Sequence, residues 1–274
     1  MQISLFFTVI SSILFSLPFV QAAGKRGACW AWYNGSLNPG KLHKNKVSYI
    51  YDYETYQPPS TNGAGGLEFI GMQRCLDCDS SPIGQLKARL NDQKWKKLFT
   101  LNEPDINGIS PASAATWYKK NITPLKVAKA FPAVTNSNAA GQGLNWLRQF
   151  ISACNGKCPA KWINLHWYGA TLNDFKAHVQ NAHKQFPSYK IAITEFALNK
   201  PAGGQQAQIN FYTKAFAWLD SQAYVEMYFP FIATTPNLLK ANDANAANNV
   251  VGTGSCLYNN DGTLSKVGQL FTKA

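Results

Sequence analysis

The sequence is short of charge, and shorter still of carboxylates. Only 15% of its 274 residues are charged, and 26 Lys and Arg stand against 14 Asp and Glu, a formal net charge of +12. Long apolar runs are missing after residue 23, so no later stretch offers the roughly 20 continuous apolar residues of a membrane span. Low-complexity linkers, Ser/Thr-rich stalks and short repeats are missing too, and nothing divides the chain into parts. No His lies close to the paired cysteines Cys75/Cys78 or Cys154/Cys158, which argues against the four-ligand set of a structural zinc. No glycine-rich loop follows the first apolar run, which weakens a nucleotide-binding open sheet. A composition that is 46% hydrophobic and 13% aromatic excludes a disordered or collagen-like chain.

What is present begins with an apolar stretch. Residues 1–23 carry no charge, Ile3 to Val20 is almost wholly apolar, and Val20-Gln21-Ala22 supplies small residues. Residues 1–22 therefore read as a secretory signal peptide, and 23–26 as a short propeptide ending at the dibasic pair Lys25-Arg26. The domain is then expected over 27–274. All six cysteines fall within it, which in a secreted chain implies up to three disulfides. Two tight local loops, Cys75–Cys78 and Cys154–Cys158, would leave Cys29 to join Cys256. Asn34-Gly35-Ser36 and Asn121-Ile122-Thr123 match the N-glycosylation pattern.

Short β-rich runs alternate with longer helical patterns. Strands are expected over 27–32, 47–53, 67–73, 95–102, 131–136, 162–166, 190–195 and 224–231. Helices are expected over 82–92, 111–128, 143–154, 172–185, 205–222 and 268–272. Eight strands with mostly helical crossovers in about 250 residues is the arithmetic of a single (β/α)8 TIM-type barrel.

In such a barrel the reacting side chains stand at the C-terminal ends of strands. The chain has only five glutamates: Glu54, Glu68, Glu103, Glu195 and Glu226. Two end apolar runs, Leu98–Glu103 and Ile191–Glu195, where burying a carboxylate is costly unless it is paired or used. Two opposed carboxyls suit glycoside hydrolysis, one as proton donor and one as nucleophile. Asn102, beside Glu103, offers an amide to a sugar 2-hydroxyl. His166-Trp167-Tyr168 offers two polar groups to hold the carboxylate on the next strand. Glu103 is accordingly the acid/base and Glu195 the nucleophile. Trp30, Trp32 and Trp167 are the aromatic platforms expected in the cleft, Asp52 and Glu54 are secondary hydroxyl binders, and Glu226 is a structural pair. His178 and His183 are expected to be solvated.

Leu101-Asn102-Glu103-Pro104-Asp105, Leu165-His166-Trp167-Tyr168-Gly169 and Thr194-Glu195-Phe196-Ala197 together resemble glycoside hydrolase family 128 of clan A. Gly27-Ala28-Cys29-Trp30-Ala31-Trp32-Tyr33 fits the same family, and the similarity covers essentially all of 27–274. The resemblance implies a secreted, retaining endo-β-1,3-glucanase that uses no metal or other cofactor and acts on β-1,3-glucan. Clan A enzymes commonly carry a Trp at the eighth strand; Tyr228 and Phe229 stand there in this chain, with Tyr228 the substrate-contacting residue expected. The protein is expected to be a monomer with no nucleic-acid or membrane partner, because the densest basic runs, 41–46 and 94–97, read as solvated faces. A non-catalytic glucan-binding wall protein on the same barrel is the alternative.

Overall fold

The computed structural model describes residues 24–273. The signal segment expected over 1–22 lies outside the described residues. Nine strands, all pairing in parallel, form one sheet: β1 (Arg26–Cys29), β2 (Val47–Tyr51), β3 (Glu68–Phe69), β4 (Gly71–Gln73), β5 (Lys97–Thr100), β6 (Ala128–Val134), β7 (Trp162–Gly169), β8 (Lys190–Leu198) and β9 (Val225–Pro230). Their spatial order is β3-β2-β1-β9-β8-β7-β6-β5-β4. Only Ile70 separates β3 from β4, so these two are halves of one stave and the sheet curls into an eight-staved barrel. Each expected strand matches a stave.

The interior is filled by aromatic rings from staves that are not neighbours. Tyr51 of β2 meets Phe99 of β5 and Phe229 of β9 edge to face at 5.5 and 5.1 Å, and Phe99 and Phe229 stand 5.7 Å apart. Phe229 fits because Gly27 lies beneath it: a Cβ there would fall 1.9 Å from the ring. Phe229 is therefore interior packing beneath the site.

Helices α1 (Leu86–Gln93), α2 (Pro111–Asn121), α3 (Gly143–Cys154), α4 (Leu172–Gln185), α5 (Gly204–Ser221), α6 (Pro236–Asn242) and α7 (Lys266–Phe271) surround the staves. The Ser110 hydroxyl caps α2 at Ser113 N–H, with Pro111 in the first turn. The helix stops at Asn121 rather than running to 128, because Pro124 bars its predecessors from continuing helical backbone. Helix α6 was not expected. It is seven residues long and buries only Leu239 fully, too little to make a period visible. Among the described residues no helix is long and apolar enough to cross a membrane.

Several sequence expectations need correction. Cys75–Cys78 and Cys154–Cys158 are bonded, but Cys29 and Cys256 are free, buried thiols. Asn34 is fully buried, its amide donating to the Ala233 carbonyl and accepting from Thr234 Oγ1, so it offers no glycan acceptor. His178 and His183 are half-buried rather than solvated; burial pushes His178 down to about 4, and His183 stacks on Tyr224 at 4.0 Å. Trp167 and Tyr228 face away from the barrel mouth, as described below.

The dibasic pair is built into the fold. Lys25 Nζ donates to the carbonyls of Leu219, Asp220 and Gln222 at the end of α5. Arg26 is 5% exposed and reaches Tyr228 Oη, Asp220 Oδ2 and the carbonyls of Phe271 and Lys273. It thereby joins the first stave to the last helix.

Candidate active site

The five glutamates sort themselves by their partners. Glu54 pairs with Arg74 at 2.9 Å, Glu68 with Lys97 at 2.7 Å and Glu226 with Lys161 at 2.7 Å. Among the described residues Glu103 and Glu195 have neither Lys nor Arg, and their only ionisable nitrogen partner is His166. Three of the five are therefore ordinary ion pairs. The remaining two stand at the C-terminal end of the barrel, where the fold holds reactive groups.

Glu103 follows β5 with its backbone at φ 47°, in the left-handed region that costs a non-glycine residue energy. The turn is held from several sides. Glu103 N–H donates to Ala133 O, and its carbonyl accepts from the Ile106 and Asn107 amides and from Asn107 Nδ2. Asp105 ties the same turn to β6 by accepting from Thr135 N–H, Thr135 Oγ1 and Gly143 N–H.

Glu195 lies within β8 and pairs directly with His166 of β7, after a register shift at Leu165/His166. Such an irregularity re-aims side chains at a barrel rim. Glu195 Oε1 accepts from Tyr53 Oη at 2.8 Å, and Oε2 from Tyr168 Oη at 2.5 Å. His166 is fully buried, with Nδ1 2.8 Å from Glu103 Oε1 and 3.5 Å from Glu195 Oε2. Its Nε2 meets Thr194 Oγ1 at 2.8 Å, and Thr194 in turn donates to Asn164 Oδ1.

Burial raises the Glu195 carboxyl, with the Glu103 charge adding to it; His166 and the two phenols pull the other way without cancelling it. Burial also pushes Glu103 up, but the His166 bond and charge outweigh it and leave that carboxyl below its ordinary value. His166 is opposed by its own burial and still ends above its ordinary range, because both glutamates favour the imidazolium. The three groups titrate as a unit. One proton is shared across the His166–Glu103 bond, and Glu195 is supplied with two neutral donors that favour its anion.

One ligand atom from each of Glu103, His166 and Glu195 lies within 4.8 Å of the others, close enough to hold a cation. Both imidazole nitrogens and both Glu195 oxygens already have hydrogen-bond partners inside the site. A cation would have to displace those bonds.

The structure thus brings Glu103, Glu195, His166 and Tyr168 together. Asn102 adjoins them on the chain, and its side-chain oxygen is buried without a partner. Such an orphan costs about 1–3 kcal/mol until a donor arrives. Trp32 is 57% exposed beyond β1, its ring edge-to-face with Tyr33. Trp30 is fully buried, donating to Pro59 O and packing on Tyr258. Trp167 packs outward against Phe175 of α4 and Phe211 of α5. Tyr228 also points to the helix layer, donating to Asp220 and stacking on Phe216. The aromatic that meets Tyr168 from this side is Phe231, just past the end of β9, edge-to-face at 5.7 Å. Glu54 is tied down by Arg74, Ser80 and Ser81, and burial pushes the neighbouring Asp52 carboxyl well up. Tyr53, the last residue of the expected second strand, is not among the expected site residues: it lies past the paired end of β2 on a left-handed backbone, where alternation no longer fixes its direction.

A family model described as glycosyl hydrolase catalytic core matches residues 27–271. Among solved structures, a GH128 (subgroup IV) endo-beta-1,3-glucanase from Lentinula edodes is 55% identical, with 91% of this chain and 100% of that chain covered and a TM-score of 0.87. A GH128 (subgroup III) curdlan-specific exo-beta-1,3-glucanase from Blastomyces gilchristii, in complex with glucose, is 26% identical over 91% and 98% of the two chains, with a TM-score of 0.70. Alkali-sensitive linkage protein 1 of Schizosaccharomyces pombe is 26% identical over 266 residues, covering 91% of this chain; the match spans 44% of that relative's length. With paired strand-end glutamates on a closed parallel barrel and these matches along nearly its whole described length, the chain belongs to the glycosyl hydrolase catalytic core family and, within it, to glycoside hydrolase family 128.

Proposed function

We propose that the protein is a secreted, monomeric, retaining endo-β-1,3-glucanase. The observation that carries this reading is the pairing of Glu103 and Glu195, whose carboxylate oxygens approach within 4.8 Å of one another. Retaining glycosidases hold their carboxyls about 5–5.5 Å apart, whereas inverting enzymes need the wider gap that admits a water. The Lentinula edodes relative supports β-1,3-glucan as the substrate and internal cleavage as the mode. The apolar, uncharged segment over 1–23 supports export.

In the first step a Glu195 oxygen attacks the anomeric carbon. The glycosidic C–O bond breaks, and the departing oxygen takes, through Glu103, the proton held on the His166–Glu103 pair. In the second step Glu103 removes a proton from water; that oxygen attacks the same carbon and releases Glu195. Two inversions return the β configuration. The orphaned Asn102 oxygen is placed beside Glu103 to accept from a sugar hydroxyl, and Trp32 offers an open ring face for a further glucose unit.

Laminarin digestion followed by proton NMR tests the reading: β-anomers must appear first, within a mixture of oligosaccharides. An initial α product would overturn retention, and glucose alone would overturn internal cleavage. Glu195→Gln must lose hydrolysis while still binding glucan. Glucan binding by the unaltered protein, with no reducing ends released at any pH, would mean a binding protein instead.

A further inference from the structure

A second polar layer lies beneath Glu195. Cys29, at the end of β1, is fully buried, with Sγ 2.9 Å from Tyr53 Oη and 3.3 Å from Tyr51 Oη. The hydrogens of this group can be counted. Tyr51 Oη donates at 2.9 Å to the carbonyl of Thr194, an oxygen that only accepts. Tyr53 Oη donates at 2.8 Å to the Glu195 carboxylate. Neither phenol has a hydrogen left for the sulfur. Burial, and after it the Glu195 charge, keep Cys29 protonated far above the ordinary thiol range. The hydrogen between Cys29 and the phenols is therefore the thiol's own.

We propose that Cys29 is a positioning residue for the nucleophile: its S–H holds the Tyr53 phenol oxygen so that the phenol hydrogen points at Glu195. This rests on the assignment of Glu195 as nucleophile. Tyr53 needs such support, since its backbone sits at φ 67°, in the left-handed region, just beyond the last paired residue of β2. A donor on its oxygen also polarises its own O–H, which strengthens the bond to the carboxylate by roughly 10–30%. The free thiol replaces the disulfide expected at this position for that reason: a sulfur bonded to Cys256 would have no hydrogen to give.

The ionisable groups facing Glu195 are Cys29 of β1, Tyr51 of β2 with Tyr53 beyond it, His166 and Tyr168 of β7, and Glu103 after β5. Removing the thiol weakens the Tyr53 arm alone. The ionised form of Glu195 loses support, so its apparent pKa rises and the acid limb of the rate profile moves to higher pH.

The test compares Cys29→Ala, Cys29→Val and Cys29→Ser in the full chain, with circular dichroism to verify folding. On laminarin, C29A and C29V should lose about two- to fourfold in kcat/KM on the acid side with little change in KM. C29S, which keeps a donor, should follow the wild-type profile. In parallel, protein labelled with 13C at the glutamate carboxyls is titrated by NMR, with Glu195 assigned by E195Q; its pKa should rise in C29A and C29V and return in C29S. Wild-type profiles and titrations in both donor-free variants would overturn the proposal, as would a C29S impaired as much as C29A. Should laminarin not be hydrolysed at all, the glucanase reading fails, while the 13C titration still decides the role of Cys29.

Discussion

His166 Nδ1 lies 2.8 Å from Glu103 Oε1, and this pair sets how the protein responds to pH. Glu103 is held below its ordinary value and His166 above. A depressed carboxyl adds stability that is present above its unfolded value and lost as pH falls through the folded one. A raised imidazole adds stability that is present below its unfolded value and lost as pH rises through the folded one. Both contributions are complete between about 4.3 and 6.5, the ordinary values of the two groups. Glu195, raised by burial, loses stability as pH rises and draws the optimum toward the acid side. The melting temperature should therefore peak in that window and fall on either side, and His166→Gln should flatten the peak. A wild-type curve level from pH 4 to 8 would contradict the pairing.

The two phenols on Glu195 give a second prediction. Tyr53→Phe and Tyr168→Phe each remove one donor from a buried carboxylate. A hydrogen bond to a charged group contributes about 1.5–3 kcal/mol, so each variant should lose roughly ten- to a hundredfold in kcat with a smaller effect on KM. The acid limb should move to higher pH in both. Because both donors serve one carboxylate, the double variant should fall short of the product of the single losses.

The barrel and its two glutamates were legible because they obey periodic rules. Eight apolar runs recur at crossover spacing, and Glu103 and Glu195 interrupt the ends of two of them. The partners around them follow no such rule. Tyr53 reaches Glu195 only because its backbone turns left-handed, and His166 meets Glu103 across the barrel mouth, 63 residues away along the chain. Aromatic platforms were legible by position but not by direction. Trp167 follows His166 immediately, and alternation along β7 sends the two rings to opposite faces. The same alternation, applied strictly, would have retained His166 and Tyr168 and set Trp167 aside.

Arg26 supplies a third prediction, about how far the N-terminal segment can be trimmed. Cutting after it would remove its bonds to Tyr228, Asp220, Phe271 and Lys273, together with the Lys25 contacts at the end of α5. Asp220, which the Tyr228 hydroxyl, Lys46 and Arg26 hold below its ordinary carboxyl value against its burial, would retain Lys46 as its cationic partner. Removing the buried Arg26 forfeits a charge-assisted bond of about 1.5–3 kcal/mol and leaves the carbonyls of Phe271 and Lys273 without their donor. A chain starting at Gly27 should therefore unfold at markedly lower urea concentration than one starting at Gly24, and Arg26→Ala in the longer chain should reproduce most of the loss. Equal midpoints would mean that the barrel closes without the clamp.

Trp32 and Trp167 separate a binding role from a packing role. Trp32 has more than half of its surface open to solvent, so Trp32→Ala leaves no cavity and should leave the melting temperature nearly unchanged. If its ring carries a glucose unit, KM for laminarin should rise several-fold while kcat holds, because contact energy shared by substrate and transition state appears in KM. Trp167 is 2% exposed and packs between α4 and α5. Trp167→Ala should cost about 3–5 kcal/mol of stability, the usual loss for a truncated core aromatic, and leave KM of the remaining folded enzyme near its original value. The opposite pattern, with KM moved by Trp167 and stability by Trp32, would place the glucan on the helix side of β7. Glu103 and Glu195 could not reach it there.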